Sequence, residues 1–425
     1  MEKIYNLRFD ETYYKEVLPN GLEVTIFHKP DFKTTACTFG TKFGALHIHQ
    51  KIEDKEYNFN PGLAHFLEHK LFESEDKDIM LEFNSIGANV NAFTSYDSTI
   101  YYFTTTKEDF DKPLNLLLDF VQSLNITEES VEKEKGIIIE ELKMYLNMSD
   151  VRLVNESYSS LYETHPLRHD IGGTVESVTN TTKQELEECY RFNYHPSNMK
   201  LVIASSCDPN HIIDIVRENQ NNKTFEKAHK VESIFDEKIL EVNTKKHSVI
   251  MDVNKPKVSY AIKLNIDSLN DLERIKFEWS LQILLEMHFT SINPNYQKWI
   301  DNKIITDFFW FEVDSGINYK HIIFYNETLD IDEYEEFITD QLNILKNITI
   351  DKKLLAQIKK RFLGLSYRVF NDIEDIAVNH LKFLLNDINY FDVIDIIVSI
   401  NYEYITEVLK SVKFNNYSIV TIKNK

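Results

Sequence analysis

The sequence predicts an α+β protein made of two similar α/β-sandwich domains, each with helices packed on a sheet rich in antiparallel strands. Its 425 residues exceed one typical core and fit two domains of about 200 residues each. Both halves show the same order of predicted elements, and a polar stretch without a firm period separates them. We therefore predict an N-terminal domain over 1–218, a linker over 219–236 and a C-terminal domain over 237–425.

The predicted elements of the first half begin with two strands after the turn signal "LPNG". These strands cover "LEVTIFH" and "TTACTFGTKFGA", which are rich in β-branched and aromatic residues. Asn60 and Pro61 form a cap and first-turn pair, so a helix is expected from there through "GLAHFLEHKLF". The remaining elements are a helix over 76–86, a hairpin over "ANVNAFTS" and "STIYYFTTT", helices over 108–124, 127–146 and 182–192, and a strand at "MKLVIASS".

The second half repeats this order without repeating its residues. Strands are expected near 237–266, a long apolar helix near 271–289, strands near 308–326 and helices near 331–412. This arrangement is the one expected of two related α+β domains that diverged in sequence.

Composition limits the partners and the compartment. The net charge of −21 repels phosphate backbones and anionic membrane surfaces, so we expect neither a nucleic-acid nor a membrane partner. No apolar run has the length of a signal peptide or of a membrane span. Cys37, Cys189 and Cys207 are odd in number and lack CxxC spacing, which indicates reduced thiols. These features predict a cytoplasmic protein.

Two histidines and a glutamate interrupt the apolar segment "GLAHFLEHKLF". Helical periodicity places His65 and His69 one above the other, so both can face one ion while Glu68 projects beside them. Such a motif should arise by chance only about a few hundredths of a time in a chain of this size. The residues could also be satisfied core histidines, but burying them with a carboxylate is costly unless something pairs with them. A metal is the simpler explanation.

A third ligand is available from the helix that follows Thr127. Catalytic zinc needs three protein ligands and an open position for water. Glu134 and Glu141 are seven residues apart and share one face of this helix, whereas Glu140 points elsewhere. Glu134, Glu141 or both could therefore face the histidine pair.

Five segments carry a wider resemblance, and they occur in the order "PGLAHFLEHKLF", "SIGANVNAFTSYDSTIYYF", "EKEKGIIIEELKMY", "HDIGGTVESV" and "YHPSNMKLVI". In order and spacing they resemble the pitrilysin family of inverted zinc peptidases, over most of residues 15–210. The length is similar to that of short bacterial members, many of which pair with a non-catalytic sister subunit. The resemblance implies a zinc endopeptidase that cleaves peptides or unfolded precursor segments, including leader peptides.

The resemblance also implies roles for individual residues. It makes His65, His69 and Glu141 the zinc ligands, Glu68 the general base and Glu134 a supporting carboxylate that steadies the site. Glu68 is then expected to take a proton from the attacking water and to pass it to the leaving amine.

The same resemblance assigns the substrate to an edge strand formed by Asn91, Ala92, Phe93 and Thr94. An exposed strand edge recognises an extended peptide through backbone hydrogen bonds and needs no particular side chains in the peptide. The alternative interpretation is that this segment is only the end of a strand.

One departure from the family concerns an Arg and a Tyr seven residues apart that complete the site in active members. The best match here is "NYQKWIDNKIITDFFWF", which has Ile300 and Asp307 in these places, and neither can donate as Arg and Tyr would. Tyr367 with Arg368 is a poorly placed substitute. We therefore predict that a homologous, non-catalytic partner subunit supplies the pair. The rival hypothesis is a non-catalytic scaffold or peptide-binding subunit of the same fold.

Overall fold

The computed structural model describes residues 1–73, 78–106, 110–237, 239–265 and 269–425. It confirms the α+β class, because helices and sheets are mixed in two compact units. The first unit comprises Met1–Leu142, Asp170–Ile234 and Ser366–Tyr390, and the second comprises Lys143–His169, Phe235–Leu365 and Phe391–Lys425. The predicted domains are contiguous in sequence, whereas each compact unit contains segments from both halves of the chain.

Ten strands formed by described residues belong to the first unit. They are β1 (Glu2–Asn6), β2 (Glu11–Val17), β3 (Glu23–His28), β4 (Thr34–Thr41), β5 (His49–Ile52), β6 (Lys55–Asn58), β7 (Asn89–Thr94), β8 (Thr99–Thr106), β9 (Met199–Ser205) and β10 (Val231–Ser233). Seven of them form one sheet in the order β1-β2-β3-β9-β4-β8-β7, and β10-β5-β6 form a smaller sheet. All pairs are antiparallel except β3 with β9. Within the described residues, β7 therefore lies at one edge of the large sheet and β1 at the other.

Fifteen α-helices are described along the chain. They are α1 (Leu63–Phe72), α2 (Ile79–Ser85), α3 (Asp111–Val121), α4 (Glu128–Leu146), α5 (Ser149–Leu161), α6 (Val175–Asn180), α7 (Lys183–Asn193), α8 (Pro209–Asn221), α9 (Asp271–Phe289), α10 (Tyr296–Asp301), α11 (Ile331–Asn347), α12 (Lys352–Arg368), α13 (Ile373–Leu384), α14 (Tyr390–Ser399) and α15 (Tyr402–Ser411). The apolar side of α1 joins the core of the first unit through Leu63, Phe66 and Leu67, which are almost fully buried. Helix α13 packs on strands β4 and β9 of the same unit.

The second unit contains a five-stranded sheet. Its strands are β11 (Lys246–Ile250), β12 (Lys257–Lys263), β13 (Trp310–Gly316), β14 (Tyr319–Glu327) and β15 (Tyr417–Lys423), in the order β11-β15-β12-β14-β13. Helix α5 packs on β12 and β15, and α9 packs on β13. The first half thus contributes α5 to the second unit, and the second half contributes α13 to the first.

Two local predictions differ from the structure. Helix α1 begins at Leu63 rather than at Asn60, because Gly62 takes a left-handed conformation with φ of 91°. The backbone N–H and the side-chain amide of Asn60 instead donate to Glu185, at 2.7 and 2.9 Å. The predicted linker also contains ordered structure, since its first residues end α8 and Val231–Ser233 form β10, paired with β5.

Two predictions from composition can be compared with the structure. Cys37, Cys189 and Cys207 form no disulfide within the described residues. No helix in the described ranges combines the length and the apolar character that crossing a bilayer requires.

Candidate metal centre

Helices α1 and α4 bring two histidines and a glutamate together. His65 and His69 lie one turn apart on α1, and α4 is anchored by its buried side chains Val131, Ile138 and Leu142. The nearest ligand atoms of His65, His69 and Glu141 all lie within 4.8 Å of one another. Within the described ranges, no other group of His, Cys, Asp or Glu side chains brings three ligand atoms this close.

The distances suit a small tetrahedral ion. Oε2 of Glu141 lies 3.9 Å from Nε2 of His65 and 3.4 Å from Nε2 of His69. Ligands bound tetrahedrally at the usual zinc distance of about 2.1 Å lie roughly 3.4 Å apart. Two imidazoles and one carboxylate are also a donor set found in catalytic zinc sites. The residues present therefore fit a zinc ion.

Glu134 supports this ligand set through His69. Oε1 of Glu134 lies 2.9 Å from Nδ1 of His69, and the residue is only 7% exposed. Burial lowers the pKa of His69, but the bond to Glu134 and the charges of nearby carboxylates outweigh it, so the net shift is upward. The carboxylate fixes the ring so that the other nitrogen, Nε2, faces Glu141.

His65 is held in a different way. Burial lowers the pKa of His65 to about 4, which keeps the imidazole neutral, the form that binds a metal. Its Nδ1 is buried and has no hydrogen-bond partner among the described residues. A Cβ atom on Gly172 would lie 3.7 Å from this nitrogen, so the ring packs against the loop of the "HDIGGTVES" segment.

Two glycines of this region allow the loop to approach the start of α1. Gly62 has φ of 91° and Gly173 has φ of 83°. A Cβ on Gly62 would lie 2.3 Å from the Gly172 carbonyl oxygen, and a Cβ on Gly173 would lie 2.3 Å from that of Pro61. The paired glycines of this loop are a sequence signal of close backbone approach, although the predicted site did not include the loop.

Replacing Gly173 by Ala is expected to destabilise the protein. A non-glycine residue at this positive φ costs of order 1–3 kcal/mol, and the added Cβ would also overlap the Pro61 backbone. The midpoint of urea denaturation should therefore fall. The matched control is Gly136→Ala, because Gly136 lies inside α4 and its Cβ would meet nothing within 4 Å. That change should stabilise by about 0.5–1 kcal/mol. Equal midpoints for the two variants would contradict the proposed packing.

Glu68 lies beside His65 and His69 on α1. The hydroxyl of Thr94 donates a hydrogen bond of 2.6 Å to its Oε2. Burial raises the pKa of Glu68, and the smaller opposing effects of Thr94 and His69 do not cancel this shift. The side chain is therefore a stronger proton acceptor than an exposed glutamate, as a general base requires.

The predicted substrate segment forms most of β7. Ala92 pairs with Tyr101, whose ring packs against Phe72 of α1, so Ala92 and Thr94 face α1. Asn91 and Phe93 face the opposite side of the sheet, where the Phe93 ring lies 6.2 Å from Tyr102. The structure thus brings Thr94 to the candidate centre but points the side chains of Asn91 and Phe93 away from it.

Replacing Glu134 by Gln is expected to weaken zinc binding by about 10- to 100-fold, the usual effect of removing a partner that orients a ligand. The amide preserves the shape of the side chain but removes the charge that fixes the His69 ring. Competition with a chromogenic chelator measures the change. An unchanged zinc affinity would show that Glu134 does not support the site.

Tyr367 does not lie near this centre. Its hydroxyl donates to the Arg8 carbonyl at 3.1 Å, and its ring packs 4.6 Å from that of Phe9. These two residues connect β1 and β2, at the edge of the large sheet opposite β7. Tyr367 therefore does not reach the candidate centre of the same chain.

Two family models match the chain. The model described as insulinase, peptidase family M16, matches residues 52–175, and the model described as the M16 inactive domain matches residues 180–362. A Bacillus subtilis relative named uncharacterized zinc protease YmfH is 34% identical over 95% of this chain and 94% of its own length. The Saccharomyces cerevisiae mitochondrial-processing peptidase subunit beta is 29% identical over 45% of this chain and 40% of its own length.

Solved structures show the same architecture. An M16-like peptidase from Alicyclobacillus acidocaldarius has a TM-score of 0.92 and 29% identity, covering 98% of this chain and 99% of that chain. Pitrilysin has a TM-score of 0.76 at 17% identity, covering 100% of this chain and 46% of that chain. At this identity the match to pitrilysin shows the fold alone.

Proposed function

Since the chain belongs to peptidase family M16, as its motifs predicted, we propose that it is a zinc-dependent endopeptidase. The observation that carries this proposal is the convergence of His65, His69 and Glu141 beside the buried carboxylate of Glu68. Relatives named zinc proteases support the choice of metal. The proposed ligands are these two histidines and Glu141, with Glu134 holding His69.

The proposed reaction is hydrolysis of a peptide bond. Zinc bound at this site would lower the pKa of a coordinated water and polarise the substrate carbonyl. Glu68 accepts a proton from the attacking water and then donates it to the leaving amine nitrogen. Glu134 keeps the His69 ring in the orientation that ligation requires.

The proposed substrate is an extended peptide segment that pairs with β7. Ser95 donates its N–H to Ser98 across the hairpin, at 2.8 Å, so by antiparallel alternation the N–H groups of Thr94 and Ala92 point to the open edge. In the peptide-free chain, the side-chain oxygen of Asn91 accepts from the Ala92 N–H at 2.9 Å. A substrate carbonyl can replace that oxygen. Recognition of this kind reads the peptide backbone and suits unfolded precursor or leader segments of varied sequence.

A heterodimer is the proposed active form. In the segment that best matches the expected Arg and Tyr positions, Ile300 and Asp307 stand instead. Tyr367 is engaged with Arg8 at the far edge of the sheet. A homologous partner subunit is proposed to supply this pair. The match of residues 180–362 to the M16 inactive domain supports a second half without its own catalytic centre. The proposed compartment is the cytoplasm.

Peptide cleavage by the purified, zinc-loaded chain tests the proposal, alone and mixed with a homologous candidate partner subunit from the same organism. Internally quenched peptides of varied sequence serve as substrates, and chelation followed by zinc addition is the control. Cleavage only in the mixture supports the paired enzyme, and cleavage by the chain alone removes the need for a partner. Peptide binding without cleavage in every sample would favour a scaffold or binding subunit.

A further inference from the structure

Thr94 connects the edge strand to the general base. Its hydroxyl donates to Oε2 of Glu68 at 2.6 Å. Glu68 is on α1 and Thr94 is the last residue of β7, so the contact joins two elements through residues that are 26 positions apart in the sequence. Among the described residues, no other side chain forms a hydrogen bond with the Glu68 carboxylate.

The direction of the Thr94 side chain indicates that its hydroxyl serves Glu68 and not a peptide bound at the strand edge. Residues alternate along a strand, and Thr94 shares with Ala92 the face directed at α1. The hydroxyl therefore points at the carboxylate and not along the open edge where a peptide would pair. Recognition of a peptide by β7 needs only the backbone of this residue.

We propose that Thr94 is a positioning residue that fixes the orientation of the Glu68 carboxylate, an inference that rests on the proposed function. Because Oε2 is occupied by the hydroxyl, Oε1 is the oxygen left to accept the proton of the attacking water. The base is then oriented by the strand along which the peptide lies. A change in the register of β7 would move the substrate and the base together.

Thr94→Val and Thr94→Ser form a matched pair of variants for the test. Valine keeps the size and strand preference of threonine but lacks the hydroxyl, whereas serine keeps the hydroxyl. In the zinc-loaded enzyme with its partner, Thr94→Val should lower kcat by about 10- to 100-fold, the cost of a misplaced catalytic group. KM and zinc content should stay unchanged, and Thr94→Ser should restore most of kcat. In a Glu68→Gln background, Thr94→Val should have little further effect, because the two residues act as one unit.

Crystal structures of the metal-free variants give a readout independent of activity. Glu68 should occupy one conformer in the wild type and in Thr94→Ser, and more than one in Thr94→Val. A wild-type kcat with an ordered Glu68 in Thr94→Val would overturn the inference, as would a rise in KM at constant kcat. If the wild type cleaves no peptide, the proposed function fails, while the conformers of Glu68 still decide whether Thr94 positions it.

Discussion

Replacing Glu68 by Gln will lower peptide cleavage by about 10³-fold, within the range that a general acid–base group contributes. Glutamine keeps the shape of the side chain and can still accept the hydrogen bond from Thr94. It cannot take the proton of the attacking water. Zinc should stay bound in stoichiometric amount because Glu68 is not among the three convergent ligands. Steady-state kinetics on an internally quenched peptide, with metal analysis of the same sample, measures both effects.

The matched control for this change is Glu140→Gln. Glu140 is an exposed glutamate of α4 that precedes Glu141, the proposed ligand, and does not belong to the convergent group. The Glu140→Gln change removes the same charge as Glu68→Gln, close to the site. Because Glu140 has no proposed part in catalysis or metal binding, both kcat and zinc content should stay near the wild-type values. A comparable loss of activity in the two variants would indicate a general effect of charge and would remove Glu68 from the role of base.

The local features of the site could be predicted from the sequence because they depend on helical spacing. The interval of four between His65 and His69 and of seven between Glu134 and Glu141 fixes which side chains share a face. The structure brings His65, His69 and Glu141 together and bonds Glu134 to His69. Helix α9 was predicted at its observed bounds, Asp271–Phe289, because its length and apolar content are unambiguous.

Features that depend on tertiary packing were not predicted. Nothing in local periodicity tells that α5 packs with the sheet of the second unit or that α13 packs with that of the first. Strand β10 is three residues long and polar, and only its pairing with β5 makes it a strand. The hydroxyl of Thr94 likewise acquires a role only when β7 lies next to α1.

Replacing Glu141 by Gln will weaken zinc binding by more than the roughly 100-fold upper effect of losing a supporting partner. The reason is that zinc prefers an anionic carboxylate as third ligand, and a neutral amide oxygen at this position is a much weaker donor. The effect should exceed that of Glu134→Gln, which leaves all three ligands in place. Purified Glu141→Gln protein should contain less than one zinc per chain, and cleavage should fall in proportion.

Thermal unfolding gives a second measure of the same loss. A ligand present at about 100 times its Kd stabilises the folded state by about 2.7 kcal/mol, so zinc should raise the Tm of the metal-free wild type. Under the same conditions the Tm of Glu141→Gln should change little, because its site remains mostly unfilled. Glu140→Gln should respond to zinc as the wild type does, since its carboxylate lies outside the ligand set. Full zinc occupancy and an unchanged Tm response in Glu141→Gln would mean that α4 does not provide the third ligand, and the proposed centre would have to be rebuilt around another residue.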